Sequence, residues 1–256
     1  MSEFEVKITR DQSEIQEAQR LRFEVFNLEM RRGLVSSYGK GLDVDEFDPL
    51  CDHLIVRDLG TGQVVGTYRL LLGSQARRGF GFYAEREFHL ENIKRLDGEL
   101  LELGRSCAHQ DYRDKALIPF MWQAIAGYVK AHRVRYLFGC ASLYTTDPRE
   151  AGGFYGFLKN SYLAPEEFRV HPNSEHAFAE LDEKPGDGKN DPGLFFRLPS
   201  LIKGYLRIGA LLCGQPALDR EFGTTDLFLL LDISRIGREY LQRFGLSESQ
   251  VRCASR

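Results

Sequence analysis

The chain has 256 residues, of which 43% are hydrophobic, and a formal net charge of −3 at pH 7. This length and composition fit one large domain with a buried core, and the weak charge favours no nucleic-acid partner. The five cysteines form no C-x-x-C pair, so we expect reduced thiols and no structural zinc. The amino terminus is polar, and no apolar run approaches the ~20 residues of a membrane span. We therefore predict a cytoplasmic protein, with peripheral attachment to the inner membrane surface left open.

The first fifty residues predict a strand, a helix and a long loop. Alternating apolar residues at 4–8 indicate the strand. An S-x-x-Q pattern at Ser13 and Gln16 predicts the start of a helix, whose apolar stripe continues to Leu28. The segment 33–49 is rich in Gly, Ser and Asp, which is typical of a functional loop.

The remaining chain mixes strands and helices without an internal repeat. We expect strands at 53–59, 63–72, 100–107, 136–143 and 226–232, and helices at 90–96, 118–130, 154–162, 201–212 and 235–244. The first two of these strands flank the turn Gly60-Thr61-Gly62, which predicts a hairpin. The segment 182–193 has two prolines, three glycines and six charges, which predicts a flexible loop. The order lacks the strict β-α alternation of a doubly wound sheet, so we predict a mixed α/β (α+β) fold in one domain over 1–256.

Several familiar catalytic motifs are absent from the sequence. It contains no G-x-S-x-G, H-E-x-x-H, G-x-x-x-x-G-K-[ST] or G-x-G-x-x-G. His171 and His176 lie in a polar segment with too few further ligands for a metal ion. We interpret them as solvated side chains and predict no metal site.

Charged residues interrupt two apolar strands. Arg69 lies in one strand, and Glu102 and Arg105 lie in another. The loop before the hairpin carries four acidic residues: Asp43, Asp45, Glu46 and Asp48. Because a charge within an apolar strand is costly unless it is paired, we expect these groups to meet. They form either a structural ion-pair network that holds the loop or an amine-binding, proton-accepting site.

Two features around this second strand point to a bound ligand. Glu102 and Arg105 would face opposite sides of a regular strand, but a bulge at Gly104 would bring both to one face. A bulge also frees a backbone N–H that could hold the oxyanion of a carbonyl under attack. Further on, Arg113 and Lys115 precede a helix, which is an arrangement suited to a phosphate, although the aspartate between them could simply cap the helix.

These residues resemble a known family. The run Leu21-Arg22-Phe23-Glu24-Val25-Phe26, with Asp45, Asp48, Arg69 and Glu102-Leu103-Gly104-Arg105, is similar to the acyl-homoserine-lactone synthases. A branch that contains the ornithine-lipid acyl-ACP N-acyltransferases, sometimes labelled "hemolysin", is closer. Its resemblance rests on Glu102–Cys107, Asp111-Tyr112-Arg113, Trp122, Gly204–Gly209, Pro216–Asp219 and Phe222–Asp226. The resemblance extends from Arg20 to Asp232.

The resemblance implies a GNAT (GCN5-related N-acetyltransferase) fold, with a central mixed, twisted sheet flanked by helices. It implies an N-acyltransferase that moves a long fatty acyl chain, with a 3-hydroxy chain as an option, from acyl carrier protein to the amine of an amino acid such as ornithine. This reaction is the first step of ornithine-lipid synthesis. The implied partners are acyl carrier protein and a small amine. We expect no permanently bound cofactor, since the thioester of carrier protein or CoA is a substrate.

The sequence departs from the family pattern at two places. Leu34 stands near the position where the lactone synthases carry a tryptophan, which argues against lactone synthesis. The usual GNAT pyrophosphate loop, [RQ]-x-x-G-x-[GA], is reduced to Arg113-x-x-Ala116. Alanine in place of glycine limits how closely the backbone approaches phosphate. This argues against ordinary acetyl-CoA chemistry and leaves room for a phosphopantetheine arm.

The resemblance places seven residues in the active-site region: Arg22, Phe26, Asp45, Asp48, Arg69, Glu102 and Arg105. We assign Glu102 as the base that takes the proton of the amine, with Arg69 and Arg105 orienting it. The remaining four are assigned to the acceptor, although Asp45 and Asp48 could instead anchor the loop. The acyl donor is assigned to Gly104, Ser106, Cys107, Arg113 and Ala116.

Three alternatives remain open. A covalent route through Cys107 is disfavoured, because no histidine lies at a fixed local spacing as an activating base. The protein could use acyl-CoA and another amine. It could also be a non-catalytic GNAT domain that only binds a ligand.

Overall fold

The computed structural model describes residues 3–113, 117–181 and 192–236. Its strands are β1 (Phe4–Thr9), β2 (Asp52–Asp58), β3 (Val64–Leu72), β4 (Phe88–His89), β5 (Glu99–Ala108), β6 (Val134–Leu143), β7 (His171–Pro172), β8 (Leu211–Leu212), β9 (Ala217–Asp219) and β10 (Thr224–Asp232). Its α-helices are α1 (Gln12–Phe23), α2 (Gly73–Ala76), α3 (Glu91–Lys94), α4 (Leu117–His132), α5 (Pro148–Tyr162), α6 (Pro192–Arg197) and α7 (Ser200–Arg207). The described residues divide into two compact units, 3–81 with 99–135 and 82–98 with 136–236.

Strand pairing confirms the mixed α/β class. In the first unit, β1, β2, β3 and β5 are neighbours in that order, and each pair is antiparallel. In the second unit, β10 pairs antiparallel with β6, β8 and β9, and β4 pairs with β7. Isolated parallel bridges join Leu163 to Leu212 and Val170 to Gly214. The expectation of one domain over 1–256 stays a prediction.

Helix α1 packs its apolar face against β2. Ala18 and Leu21 are buried in one cluster with Ile55. After α1 the chain continues in a π-helical segment, Glu24–Glu29, which breaks the 3.6-residue spacing. Leu28 is therefore 54% exposed, although the periodicity predicts that it is buried.

The start of α1 differs from the prediction. Asp11 is the N-cap, and its carboxylate accepts hydrogen bonds from the backbone N–H groups of Ser13 and Glu14. This carboxylate reaches the first free N–H groups of the helix, so the predicted capping box at Ser13 and Gln16 is wrong.

The hairpin of β2 and β3 is confirmed. The carboxylate of Asp58 accepts hydrogen bonds from the backbone N–H groups of Gly60 at 2.7 Å and Thr61 at 3.3 Å, which fixes the turn. Gly62 has a φ of 75°, a conformation that glycine adopts without strain. Strand β3 is buried along its whole length, so it carries Arg69 into the interior of the first unit.

Strand β10 lies in the core of the second unit, as its apolar sequence predicts. Every residue of Thr224–Asp232 is buried. Leu227 and Leu229 pack in one cluster with Leu158 of α5 and Leu206 of α7. The helices therefore stabilise this strand by covering its apolar side chains.

Two helices differ in length from the predictions. α5 begins at Pro148, earlier than predicted, because the side chain of Asp147 accepts a hydrogen bond from the backbone N–H of Arg149 and caps the helix. α7 ends at Arg207, and residues predicted as its continuation form the short strand β8.

Two predictions fall partly outside the described residues. Of the predicted loop 182–193, residues 182–191 lie outside, and the last two residues belong to α6. Most of the predicted helix 235–244 lies outside as well, and Ile233–Arg235 form a single 3₁₀ turn. Within the described part of the chain, no helix is both long and apolar enough to cross a bilayer.

We predict opposite stability effects for two glycine-to-alanine substitutions. Gly214 has a φ of 138°, and an added Cβ would lie 2.3 Å from the carbonyl oxygen of Val170. Gly214→Ala should therefore lower the free energy of unfolding by about 1–3 kcal/mol. Gly204 lies within α7 and has no atom within 4 Å of an added Cβ. Gly204→Ala should raise this free energy by about 0.5–1 kcal/mol. Chemical denaturation measures both changes, and equal stability of the Gly214→Ala variant and the wild type would contradict the backbone argument.

Candidate active site

Three arginines and three aspartates form a buried ion-pair network in the first unit. Its members are Arg22 of α1, Arg69 of β3, Arg105 of β5, and the loop residues Asp43, Asp45 and Asp48. Each of the six side chains is at most 8% exposed. We call these six residues the arginine–aspartate ring. Its formal charges cancel, which is what burial of six ionised groups requires.

Arg22 lies entirely within the protein. Its guanidinium contacts the carboxylate of Asp43 at 2.9 Å and that of Asp48 at 2.8 and 3.0 Å. It also donates a hydrogen bond to the backbone carbonyl of Asp43. Arg22 is 0% exposed, and its charge is compensated by two aspartates of the loop before β2. The sequence contains a signal for the burial of Arg22, because this residue shares a helical face with the apolar, buried Ala18 and Val25.

The other two arginines close the ring. Arg69 contacts Asp45 at 2.6 Å and Asp48 at 3.2 Å. Arg105 contacts Asp45 at 3.3 Å and Asp43 at 3.6 Å. Each aspartate therefore lies between two arginines, and each arginine lies between two aspartates. The predicted pairing of Asp45 or Asp48 with Arg69 or Arg105 is confirmed.

The ring keeps its carboxylates ionised. Burial by itself raises the pKa of Asp48, but attraction to Arg22 and Arg69 outweighs burial and holds this pKa well below its usual value. Burial and attraction to Arg69 and Arg105 act in the same opposing way on Asp45, whose pKa is also lowered. At neutral pH both carboxylates are therefore charged and paired.

Two polar neighbours complete the surroundings of Asp48. The side-chain amide of Gln19 donates a hydrogen bond to its carboxylate at 2.9 Å. Nε2 of His53 lies 3.1 Å from its backbone carbonyl oxygen. Burial lowers the pKa of His53, so its imidazole is neutral at pH 7 and donates a hydrogen bond from Nε2.

Strand β5 carries a bulge next to the ring. Arg69 of β3 pairs with Gly104, whereas Thr67 pairs with Cys107, so β5 has one more residue than β3 over this stretch. Arg105 has a φ of 48°, in the left-handed region that residues other than glycine rarely occupy. The irregularity predicted near Gly104 is confirmed, but the left-handed residue is Arg105. The bulge thereby directs the side chain of Arg105 towards Asp43 and Asp45 of the loop.

Glu102, the predicted base, lies on β5 shortly before the bulge. It pairs in register with Leu71 of β3 and is 5% exposed. Phe26, predicted to bind the acceptor, lies in the π-helical segment and packs on the cluster that contains Cys107. Such segments are frequent at functional sites. The catalytic and binding roles of both residues stay predictions.

The residues predicted to bind the acyl donor follow the same strand. Gly104 and Ser106 are half-buried, and Cys107 is buried. Burial raises the pKa of the Cys107 thiol to about 12, so the nucleophilic thiolate is scarce at neutral pH. This favours direct transfer over a covalent route through Cys107.

The predicted phosphate site is described only in part. The guanidinium of Arg113 makes a bidentate ion pair with Glu29 at 2.6 and 2.7 Å. Ala116 lies outside the described residues, and α4 is described from Leu117. A role for Arg113 in binding the donor therefore stays a prediction.

Comparison with known proteins defines the class. Residues 21–123 match the family model of the acetyltransferase (GNAT) domain, and this segment contains the whole ring and the β5 bulge. The fold is similar to that of the acyl-homoserine-lactone (AHL) synthase LasI, with a TM-score of 0.52, 14% identity and 91% of both chains covered. It is also similar to FeeM, an N-acyl amino acid synthase from uncultured soil microbes, with a TM-score of 0.51, 11% identity and coverages of 92% and 93%. The protein is an acyltransferase of the GNAT fold.

Relatives with closer sequences define the family. The chain is 36% identical to the L-ornithine N(alpha)-acyltransferase of Brucella abortus (strain 2308), over 94% of this chain and 88% of the relative. Identity to the enzyme of that name from Rhodobacter capsulatus is 36%, over 93% of each. For Rhizobium meliloti it is 34%, over 96% and 85%. The chain belongs to the family of L-ornithine N(alpha)-acyltransferases.

We predict that Asp48→Asn strongly destabilises the protein. The substitution leaves Arg22 and Arg69 each with one charged partner instead of two. Breaking a buried ion pair typically costs about 3–5 kcal/mol, so chemical denaturation should show a loss of this order. Glu46→Gln, at an exposed position in the same loop, is the matched control and should cost at most about 1 kcal/mol, because an interaction of an exposed carboxylate contributes no more than that.

The pH dependence of unfolding provides a second readout of this substitution. Because the folded pKa of Asp48 is lowered, its contribution is present at neutral pH and is lost as pH falls below the unfolded value of about 4. Between pH 5 and about pH 2 the wild type should therefore lose more stability than the variant. Parallel losses in the two proteins would show that Asp48 is not a strongly paired carboxylate.

Proposed function

We propose that this protein transfers a long fatty acyl chain from acyl carrier protein to the α-amino group of L-ornithine, as in the first step of ornithine-lipid synthesis. The assignment of ornithine as the acceptor rests on the 36% identity, over 94% of this chain, to an enzyme named for that activity. The supporting geometry is a buried acid, Glu102, on the strand whose bulge is held by the arginine–aspartate ring.

The reaction needs a neutral amine. An amino group with a pKa of about 8–10 is largely protonated at neutral pH and cannot attack a carbonyl carbon. Glu102, acting directly or through one water, would take this proton. The amine lone pair would then form the new C–N bond, and the tetrahedral intermediate would collapse with release of the carrier thiol.

The bulge offers a way to stabilise this intermediate. The extra residue of β5 interrupts the regular ladder between Gly104 and Cys107, and we assign a backbone N–H of this stretch to the carbonyl oxygen of the donor. An N–H aimed at the developing oxyanion lowers the barrier of acyl transfer. The proposal assigns this function to the backbone from Gly104 to Cys107, which leaves the Cys107 thiol without a covalent role.

The ring has a positioning function in this proposal. The sequence leaves open whether Asp45 and Asp48 bind a cationic acceptor or anchor the loop. Both carboxylates are buried and already lie between two arginines, which supports anchoring. Arg69 and Arg105 keep the assigned function of orienting Glu102, and Arg105 contributes to it by fixing the strand that carries both residues.

We predict that Glu102→Gln keeps the fold and lowers kcat by about 10²–10⁴-fold. Raising the pH should partly restore the rate, because more of the acceptor amine is then neutral without a base. The assay follows thiol release from acyl carrier protein with ornithine as acceptor. Glu99→Gln is the matched control on the same strand, since the Glu99 carboxylate accepts a hydrogen bond from the backbone N–H of Ser74. Unchanged turnover of Glu102→Gln would remove the base assignment.

The use of acyl carrier protein as the donor leads to a separate prediction. Acyl carrier proteins are acidic, so their use requires exposed basic residues near the entrance for the thioester. Arg77 and Arg78 are exposed in the unit that contains the ring. Arg78→Glu should raise KM for acyl carrier protein severalfold at low salt and less at high salt, whereas KM for acyl-CoA should change little.

Arg149→Glu is the matched control, because it makes the same charge change at an exposed position of the second unit. It should leave both KM values close to those of the wild type. Equal losses with both donors in Arg78→Glu would indicate a role in holding the thioester arm and would contradict recognition of the carrier through this residue.

A further inference from the structure

Three acidic residues meet in the core of the second unit. Glu87 precedes β4, Asp219 ends β9 and Asp226 lies in β10. One carboxylate oxygen from each lies within 4.8 Å of the other two. The residues are 4%, 7% and 6% exposed, so solvent does not compensate their charges. We call them the carboxylate triad.

The carboxylate triad differs from the arginine–aspartate ring in its partners. Asp219 accepts hydrogen bonds from the backbone N–H groups of Glu221 and Phe222, at 2.8 and 3.0 Å. Asp226 accepts one from the hydroxyl of Thr224 at 3.0 Å. Among the residues that the structure describes, no lysine, arginine or histidine forms an ion pair with any member of the triad.

A second observation points to a ligand. The side chain of Glu87 is hydrogen-bonded to Asp226 and Cys140, yet its Oε2 atom is buried and has no hydrogen-bond partner among the described residues. An unsatisfied buried carboxylate oxygen costs free energy, which a bound ligand would recover. No described basic side chain forms an ion pair with the triad, so protons or a cation must supply the compensating positive charge.

We infer that the carboxylate triad binds a hard divalent metal cation such as Ca²⁺, Mg²⁺ or Mn²⁺. Carboxylate oxygens are the donors that these ions prefer. Three oxygens at about 2.4 Å from one Ca²⁺ lie about 3–4 Å apart, which the observed spacing within 4.8 Å accommodates. Thr224, whose hydroxyl donates to Asp226, is also buried and adds an oxygen to the same surroundings.

A bound cation has a structural role at this place. Glu87 belongs to the segment 82–98, which is far in sequence from Asp219 and Asp226. Coordination by all three would fasten this segment to β9 and β10, beyond the pairing of β4 with β7. This inference is independent of acyl transfer, and it revises the sequence-based prediction of no metal site.

The test measures metal binding by the whole protein at fixed pH. EDTA-treated protein is titrated with Ca²⁺, Mg²⁺ or Mn²⁺ by isothermal titration calorimetry, and bound metal is counted by mass spectrometry after dialysis. We expect one ion per chain for at least one metal and a higher melting temperature in its presence. Glu87→Gln and Asp226→Asn should each weaken binding by about tenfold or more, because each removes one charged ligand.

Asp232→Asn is the matched control, since Asp232 is another buried carboxylate at the opposite end of β10. It should bind the ion as the wild type does. Absence of stoichiometric binding by the wild type at millimolar metal would overturn the inference, and this measurement does not depend on whether a variant folds. Equal binding by all variants would overturn it as well.

Discussion

The carboxylate of Asp48 lies between the guanidinium groups of Arg22 and Arg69, and this contact is one third of a closed ring of ion pairs. Buried charges are costly unless every member is compensated, so the six residues stabilise the protein only as a set. The ring ties α1, β3 and β5 to the loop before β2. It explains why charged residues interrupt apolar elements in which single charges would be strongly unfavourable.

The ring also accounts for the irregularity of β5. Arg105 occupies a left-handed conformation, which costs on the order of 1–3 kcal/mol for a residue with a side chain. Its guanidinium contacts Asp43 and Asp45 from this position. Electrostatic pairing thus holds a strained bulge in place next to Glu102. The bulge and the buried Glu102 therefore lie on the same strand, which is the arrangement on which the proposed acyl transfer depends.

Charge compensation takes a different form in the second unit. Strand β10 carries Asp226 into a buried position beside Glu87 and Asp219, where described basic side chains form no ion pair with them. Protons or a cation must then supply the missing positive charge. The same physical requirement is therefore met by internal arginines in one unit and by protons or a cation in the other.

Local patterns in the sequence were sufficient for the hairpin, most strand positions and the expectation that Arg69 and Arg105 meet the acidic loop. These patterns did not predict the N-cap at Asp11, the exposure of Leu28 or the left-handed conformation of Arg105, because contacts and backbone geometry outside the pattern determine them. No pattern joined Glu87 to Asp219 and Asp226, since over a hundred positions separate them in the chain. The sequence by itself determined which elements form and that their buried charges need partners. Only the tertiary structure decided which charges meet, because strand register and the path of loops select neighbours that are distant along the chain.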